Sequence, residues 1–164
     1  MLQRIQTVFL IVVVLMMTAS LFFNFWEYQA AESGMSYVVT PFGLEIDSTA
    51  ADAADNGFPK KESIPYILLA VLAIAGITVA AFEITKFKNR LLQIKLGTLN
   101  SVILAAVTIL GVYLSTDLAK SVEGLVGAPG ISTFLAPAAL ICNALANRFI
   151  HRDEKLVRSV DRIR

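Results

Sequence analysis

The chain has 164 residues, 56% of them hydrophobic and 16% charged, with a formal net charge of +1. Soluble domains carry about 25% charged residues, so the composition excludes an ordinary water-soluble fold. A single cysteine, Cys142, excludes an internal disulfide, and no nucleic-acid partner is expected.

The first apolar stretch runs from about Ile5 to Phe25. Its start, Met-Leu-Gln-Arg4, has the look of a signal peptide, but the run outlasts the usual ~7–15-residue apolar core and no small-x-small cleavage site follows, so an uncleaved anchor is expected. Residues 27–63 form a long loop. Within it, Ser36–Thr40 and Leu44–Ile46 flank Pro41-Phe42-Gly43, which predicts a small β-hairpin, whereas Ser48–Gly57 has no apolar period and reads as an exposed loop. Ser63 followed by Ile64-Pro65 supplies a cap and a first-turn proline, and so marks the start of a second span, Ile64–Ile84. A short turn at Lys88-Asn89-Arg90 leads to a third span, Leu96–Leu114, packed on the second as an antiparallel hairpin. The Gly127-Ala128-Pro129-Gly130 turn then leads to a fourth span, Ile131–Ile150, with a kink expected at Pro137.

Each stretch reaches the ~20 residues that a helix rising ~1.5 Å per residue needs to cross a ~30 Å hydrocarbon layer. Helices alone can meet that need, because lipid leaves every N–H and C=O to be satisfied within the segment. The expected fold is therefore an all-α membrane protein: one domain, a bundle of four transmembrane helices, with a cytoplasmic amphipathic helix at residues 151–164. Arg4, Lys86, Lys88, Arg90, Lys95 and six basic residues from Arg148 onward lie on one side, against Lys60, Lys61 and Lys120 on the other. The positive-inside rule places both termini in the cytoplasm of a bacterial inner membrane, with Trp26, Tyr28, Tyr66 and Tyr113 as an aromatic belt at the outer face.

Polar residues within the spans are the candidate site. Asn143 and Asn147 share one face of span four, and Gln93 and Asn100 one face of span three, all in the cytoplasmic half. Hydrogen-bonded glue between helices is the preferred reading, and a polar cavity the alternative. Gly76-x-x-x-Ala80 and Gly97-x-x-x-Ser101 have the spacing that lets helix backbones approach closely. Glu83 is the one acid in an apolar span. Its depth suits an ion pair with Arg4 or Lys86 rather than a proton-carrying role. No nucleophile with a base, metal cluster or cysteine pair is apparent, and His151 reads as a solvated residue, so neither catalysis nor a cofactor nor a small-molecule substrate is expected.

After Ile150, Leu156, Val160 and Ile163 recur at i, i+4 and i+7 on a charged helix that also carries Arg158 and Arg162. Such a stripe suits the headgroup surface or a protein partner, either another membrane protein or a second copy.

The start Met-Leu-Gln-Arg-Ile-Gln-Thr-Val, the turn from Lys88 to Lys95 leading to Leu99-Asn100, the Leu145-Ala-Asn-Arg148 end of span four and the tail from Asp153 to Arg164 resemble the bacterial inner-membrane proteins grouped as domain-of-unknown-function family 4293. The resemblance covers essentially the whole chain and implies four spans. It carries no activity to transfer, and it draws attention to the cytoplasmic face: Gln3, Arg4, Gln6, Gln93, Asn147 and the tail. Two functions follow as expectations: a non-catalytic accessory or scaffold subunit holding a partner through that face, or a small oligomeric transporter or channel with a polar path near Glu83, Asn100 and Asn143.

Overall fold

The computed structural model describes residues 5–30, 36–47, 64–87, 89–121 and 125–161. Four helices, α1 (Ile5–Ser20), α2 (Ile64–Thr85), α3 (Arg90–Ser121) and α4 (Ile131–Asp161), enclose a core. Four strands, β1 (Trp26–Ala30), β2 (Ser36–Val39), β3 (Leu44–Asp47) and β4 (Leu125–Pro129), form a small sheet.

Each helix buries one narrow stripe, as three- and four-residue spacing dictates for a bundle seam. On α1 the stripe is Gln6, Leu10, Val13, Met17 and Ser20. On α4 it is Ser132, Ala136, Ala139, Asn143, Ala146 and Ile150. Helix α1 packs against α2 and α4, and α3 against the same two, so the helices close a ring of antiparallel neighbours. The outer faces are just as apolar: Leu15, Val71, Val102, Ile109 and Ile141 are all more than half exposed. Helices hydrophobic on every side belong in lipid. Tyr66–Thr85, Arg90–Lys120 and Ile131–Leu156 are each long and apolar enough to cross a membrane.

Helix α1 is shorter than the Ile5–Phe25 span expected. It stops at Ser20, and its 16 residues rise about 24 Å, less than the hydrocarbon thickness. The last turn tightens through Leu21 N to Thr18 O (3.2 Å) and Phe22 N to Ala19 O (2.9 Å), and the chain then turns into β1. The start of α4 grips this elbow. Ser132 Oγ lies within hydrogen-bonding distance of Ser20 O (2.9 Å) and Phe23 O (2.7 Å), and Thr133 Oγ1 donates to Phe25 O. Gly130 N donates to Phe25 O (2.9 Å) and Ser132 N to Asn24 O (3.1 Å).

The sheet has the order β3-β2-β1-β4, antiparallel throughout. The β2–β3 hairpin is the one expected over residues 36–46. Strands β1 and β4 were not expected: β1 follows an apolar run with no turn signal, and Leu-Val-Gly-Ala-Pro reads as a turn. Pairing with β1 makes β4 a strand, and Gly127 permits it, because a Cβ there would lie 2.2 Å from the Tyr28 ring and 2.6 Å from Trp26 Nε1. Strand alternation buries Tyr28, Tyr37 and Val39 toward the helices and leaves Glu27, Gln29 and Glu45 outward. Tyr28 donates its hydroxyl to Ser115 O (2.7 Å), and burial raises its pKa above the ordinary 10.0, which keeps it a donor. Of the aromatics expected as an outer belt, Tyr28 and Tyr66 are buried in the protein core, whereas Tyr113 is exposed.

The elbow generates a test. A Cβ on Gly130 would sit 2.1 Å from the Asn24 carbonyl oxygen, a backbone atom that cannot swing aside, whereas a Cβ on Gly43 meets nothing within 4 Å. Gly130→Ala is expected to cost about 1–3 kcal/mol in detergent-solubilised unfolding, with Gly43→Ala close to wild type. Equal midpoints for the two variants would show that the elbow is not held by this contact.

Candidate functional site

The turn between α2 and α3 sets the site. Asn89 Oδ1 accepts a bond from Leu92 N (3.2 Å) and so caps α3. The two helices then run antiparallel, with Gly76 opposite Asn100 and Leu104: a Cβ on Gly76 would lie 3.6 Å from Asn100 Oδ1 and 3.5 Å from the Leu104 side chain. Glu83 lies two turns beyond Gly76 and Gln93 two turns before Asn100, so both fall in one layer at the hairpin end. On the other side of the ring, the stacked rings of Phe9 and Phe149 (5.6 Å between centroids) set the register of α1 against α4. That register brings Gln6 and Ile150 to the same end.

Three layers can be followed inward from the hairpin end. The first holds Gln6, Glu83, Gln93 and Ile150, exposed by 2%, 0%, 1% and 0%. The second holds Leu10 and three small residues, Ala80, Gly97 and Ala146, all buried. Asn147 lies over Gly97, where a Cβ would come within 1.9 Å of its Oδ1. The third holds Val13, Gly76, Asn100 and Asn143.

The structure brings Asn100 and Asn143 together. Asn100 Nδ2 donates to Asn143 Oδ1 (3.1 Å), and Asn143 Nδ2 donates to Gly97 O (2.8 Å) and to Ser101 Oγ (2.8 Å), which joins α3 to α4. Ser101 Oγ in turn donates to Gly97 O (3.0 Å). It does not extend this network to the rest of the expected cluster. Gln6 Oε1, both carboxylate oxygens of Glu83, Gln93 Oε1, Asn100 Oδ1 and Asn147 Oδ1 are buried with no hydrogen-bond partner among the described residues.

The ion pair expected between Glu83 and Lys86 is not formed. Lys86 instead places its Nζ 4.8 Å from the centroid of the Phe82 ring, following its flexible stem outward to the helix surface. Only its backbone N–H reaches Glu83, donating to the main-chain carbonyl (3.2 Å). Arg4, the other expected partner, lies outside the described residues. Sequence reasoning left two residues out of the cluster. Gln6 occupies the first position of the α1 stripe, four before Leu10, and that spacing is the signal that could have found it. Arg90, one turn before Gln93, has a buried and unpartnered Nη1. His151 is exposed.

Of the tail residues, Leu156 is exposed. Arg158 and Val160 lie within α4, though their side chains are outside the description, as are Arg162 and Ile163 altogether.

A family profile described as Domain of unknown function (DUF4293) matches residues 2–163, from before α1 into the tail, and so takes in all three layers. The chain belongs to the DUF4293 family. No curated protein matches it. The resemblance seen in the start, turn and tail segments thus extends, in this DUF4293 protein, across the sheet as well.

Two tests follow from the layers. Asn143→Leu removes three hydrogen bonds and strands Asn100 Nδ2, so unfolding in detergent should show a loss of about 1–2 kcal/mol. A wild-type midpoint would mean that the α3–α4 contact rests on packing alone. Gly97→Ala pushes a methyl group into the Asn147 amide and should cost about 1–2 kcal/mol, most of which the double change with Asn147→Ala recovers. Gly76→Ala, which meets only ordinary contacts, should be tolerated. The reverse ranking of the two glycines would contradict the assigned packing.

Proposed function

We propose that this DUF4293 protein is a four-span protein of a bacterial inner membrane, both termini cytoplasmic, acting as a non-catalytic accessory or scaffold subunit. Its hairpin end and tail hold a membrane-protein partner or a second copy. The observation that carries this reading is the length of α4. Its 31 residues rise about 46 Å, so some 16 Å of helix remain beyond a ~30 Å hydrocarbon core. The excess includes exposed Arg152, Lys155 and Leu156, a basic and apolar arm suited to a partner at the headgroup level.

The short α1 is compatible with four spans. Residues 23–25 continue from its last turn in a more extended path, at up to ~3.3 Å per residue, and Gly130 and the start of α4 donate to carbonyls of that segment. Phe22 and Phe23 are exposed there, as lipid-facing residues would be.

A second reading, a small oligomeric transporter or channel with a path past Glu83, Asn100 and Asn143, draws support from the unpartnered acceptors of the first layer.

Affinity purification from gently solubilised native membranes, comparing the full chain with one ending at Ile150, separates the two. A specific companion present with the full chain and lost on truncation is the expected result. If both forms carry no specific companion, the accessory reading fails and solute flux with Glu83→Gln becomes the test of the second.

A further inference from the structure

The polar atoms at the hairpin end are unbalanced in kind. In the third layer the donors are engaged: Asn143 Nδ2 makes two bonds, and Asn100 Nδ2 and Ser101 Oγ one each. In contrast, the buried groups left without a partner in the three layers are all oxygens: Gln6 Oε1, the two of Glu83, Gln93 Oε1, Asn100 Oδ1 and Asn147 Oδ1. They come from all four helices. A buried carbonyl without a donor costs about 1–3 kcal/mol, and a carboxylate without a counter-charge costs more. Among the described residues no donor reaches these oxygens, and the buried Arg90 Nη1 at the same end makes no hydrogen bond to any of them.

We propose that Gln6, Glu83, Gln93 and Asn147 form a binding site for one hard monovalent cation of the sodium or potassium class. Hard cations take oxygen ligands, and amide carbonyls with a carboxylate are the donor set they prefer. Charge sets the valence. Glu83, ionised when the ion binds, supplies one negative charge. Lys86 directs its ammonium to Phe82, and Arg90 is the cationic group nearest along the chain with a buried atom at this end, its Nη1 making no hydrogen bond. One monovalent ion neutralises the ionised carboxylate, whereas a divalent ion would leave one positive charge uncompensated at it. The second layer pairs Leu10 with the small residues Ala80, Gly97 and Ala146, and Asn147 Oδ1 lies over Gly97 there.

The proposal goes beyond the partner-binding reading and does not depend on it. It is tested on the purified full chain with no partner present, so failure of one leaves the other standing. Equilibrium dialysis with radioactive sodium and rubidium should show about one saturable ion per chain, and melting midpoints should rise with sodium or potassium chloride over choline chloride at equal ionic strength. Glu83→Gln keeps the shape and removes the charge, and should melt in choline at or above wild type, lose the dialysis signal and lose the salt-dependent shift. Gln93→Leu should weaken binding at least tenfold, which keeps the test available if the first variant does not fold. Absence of saturable binding to wild type, with equal midpoints in all three salts, overturns the proposal. So does binding that survives unchanged in either variant, since the ion would then sit elsewhere.

Discussion

A backbone in hydrocarbon has no water to bond with, so any departure from helix inside the bilayer must be satisfied by the protein itself. The DUF4293 chain departs from helix at Ser20, and much of the sheet end is explained by how the freed backbone groups are satisfied. Once α1 stops, the carbonyls of Ser20, Phe23, Asn24 and Phe25 need donors. Gly130 and the first residues of α4 meet them: Ser132 N donates to Asn24 O, Gly130 N and Thr133 Oγ1 donate to Phe25 O, and the single Ser132 hydroxyl proton serves Ser20 O or Phe23 O. The same N–H groups would otherwise be the orphans of a helix start. One junction thus settles the end of one helix and the beginning of another, and it fixes where β1 and β4 must lie to pair. Gly130, where a Cβ would fall on the Asn24 carbonyl, is the residue that lets the two backbones come that close.

The bundle itself depends on small residues rather than on a hydrophobic gradient, because its outer faces are as apolar as its core. In such a setting helices associate through close packing and buried polar bonds. The α3–α4 seam uses both: Gly97 accommodates Asn147 while offering its carbonyl to Asn143. The aligned polar stripe on α3, Gln93, Gly97, Asn100 and Ser101, therefore cannot be divided into packing and polar parts.

The features that depend on period and composition were legible from the residues. The three long spans, the hairpin across Pro41-Phe42-Gly43, the helical turn between α2 and α3 and the inward faces of Asn100 and Asn143 all follow from spacing and from the cost of placing amides in lipid. What was not legible depends on contacts between distant segments. Nothing local in Thr18-Ala19-Ser20 stops a helix; Ser132, more than 100 residues later, does. Leu125–Pro129 carries turn residues and becomes a strand only beside Trp26–Ala30. Tyr28 and Tyr66 are buried in the core, a placement that residue type does not disclose. Glu83 and Lys86 are close in sequence, but a neighbouring ring competes for the ammonium, and helical spacing cannot rank those two partners.

The two ends of the molecule consequently differ in what they leave unsatisfied. At the sheet end, among the described residues, the buried side-chain atoms without a partner are the indole N–H of Trp26 and the phenol oxygen of Tyr66. At the hairpin end, among the described residues, they are the oxygens of amides and a carboxylate, gathered from four helices, together with Arg90 Nη1. A purely structural polar layer would gain by matching donors to acceptors, as the Asn100–Asn143 pair does one turn of small residues away. Among the described residues, the side chains in the adjacent layer forgo such matching, so the two ends of the bundle are held by different means: close backbone contact and hydrogen bonds at the sheet end, and packing around unmatched polar groups at the hairpin end.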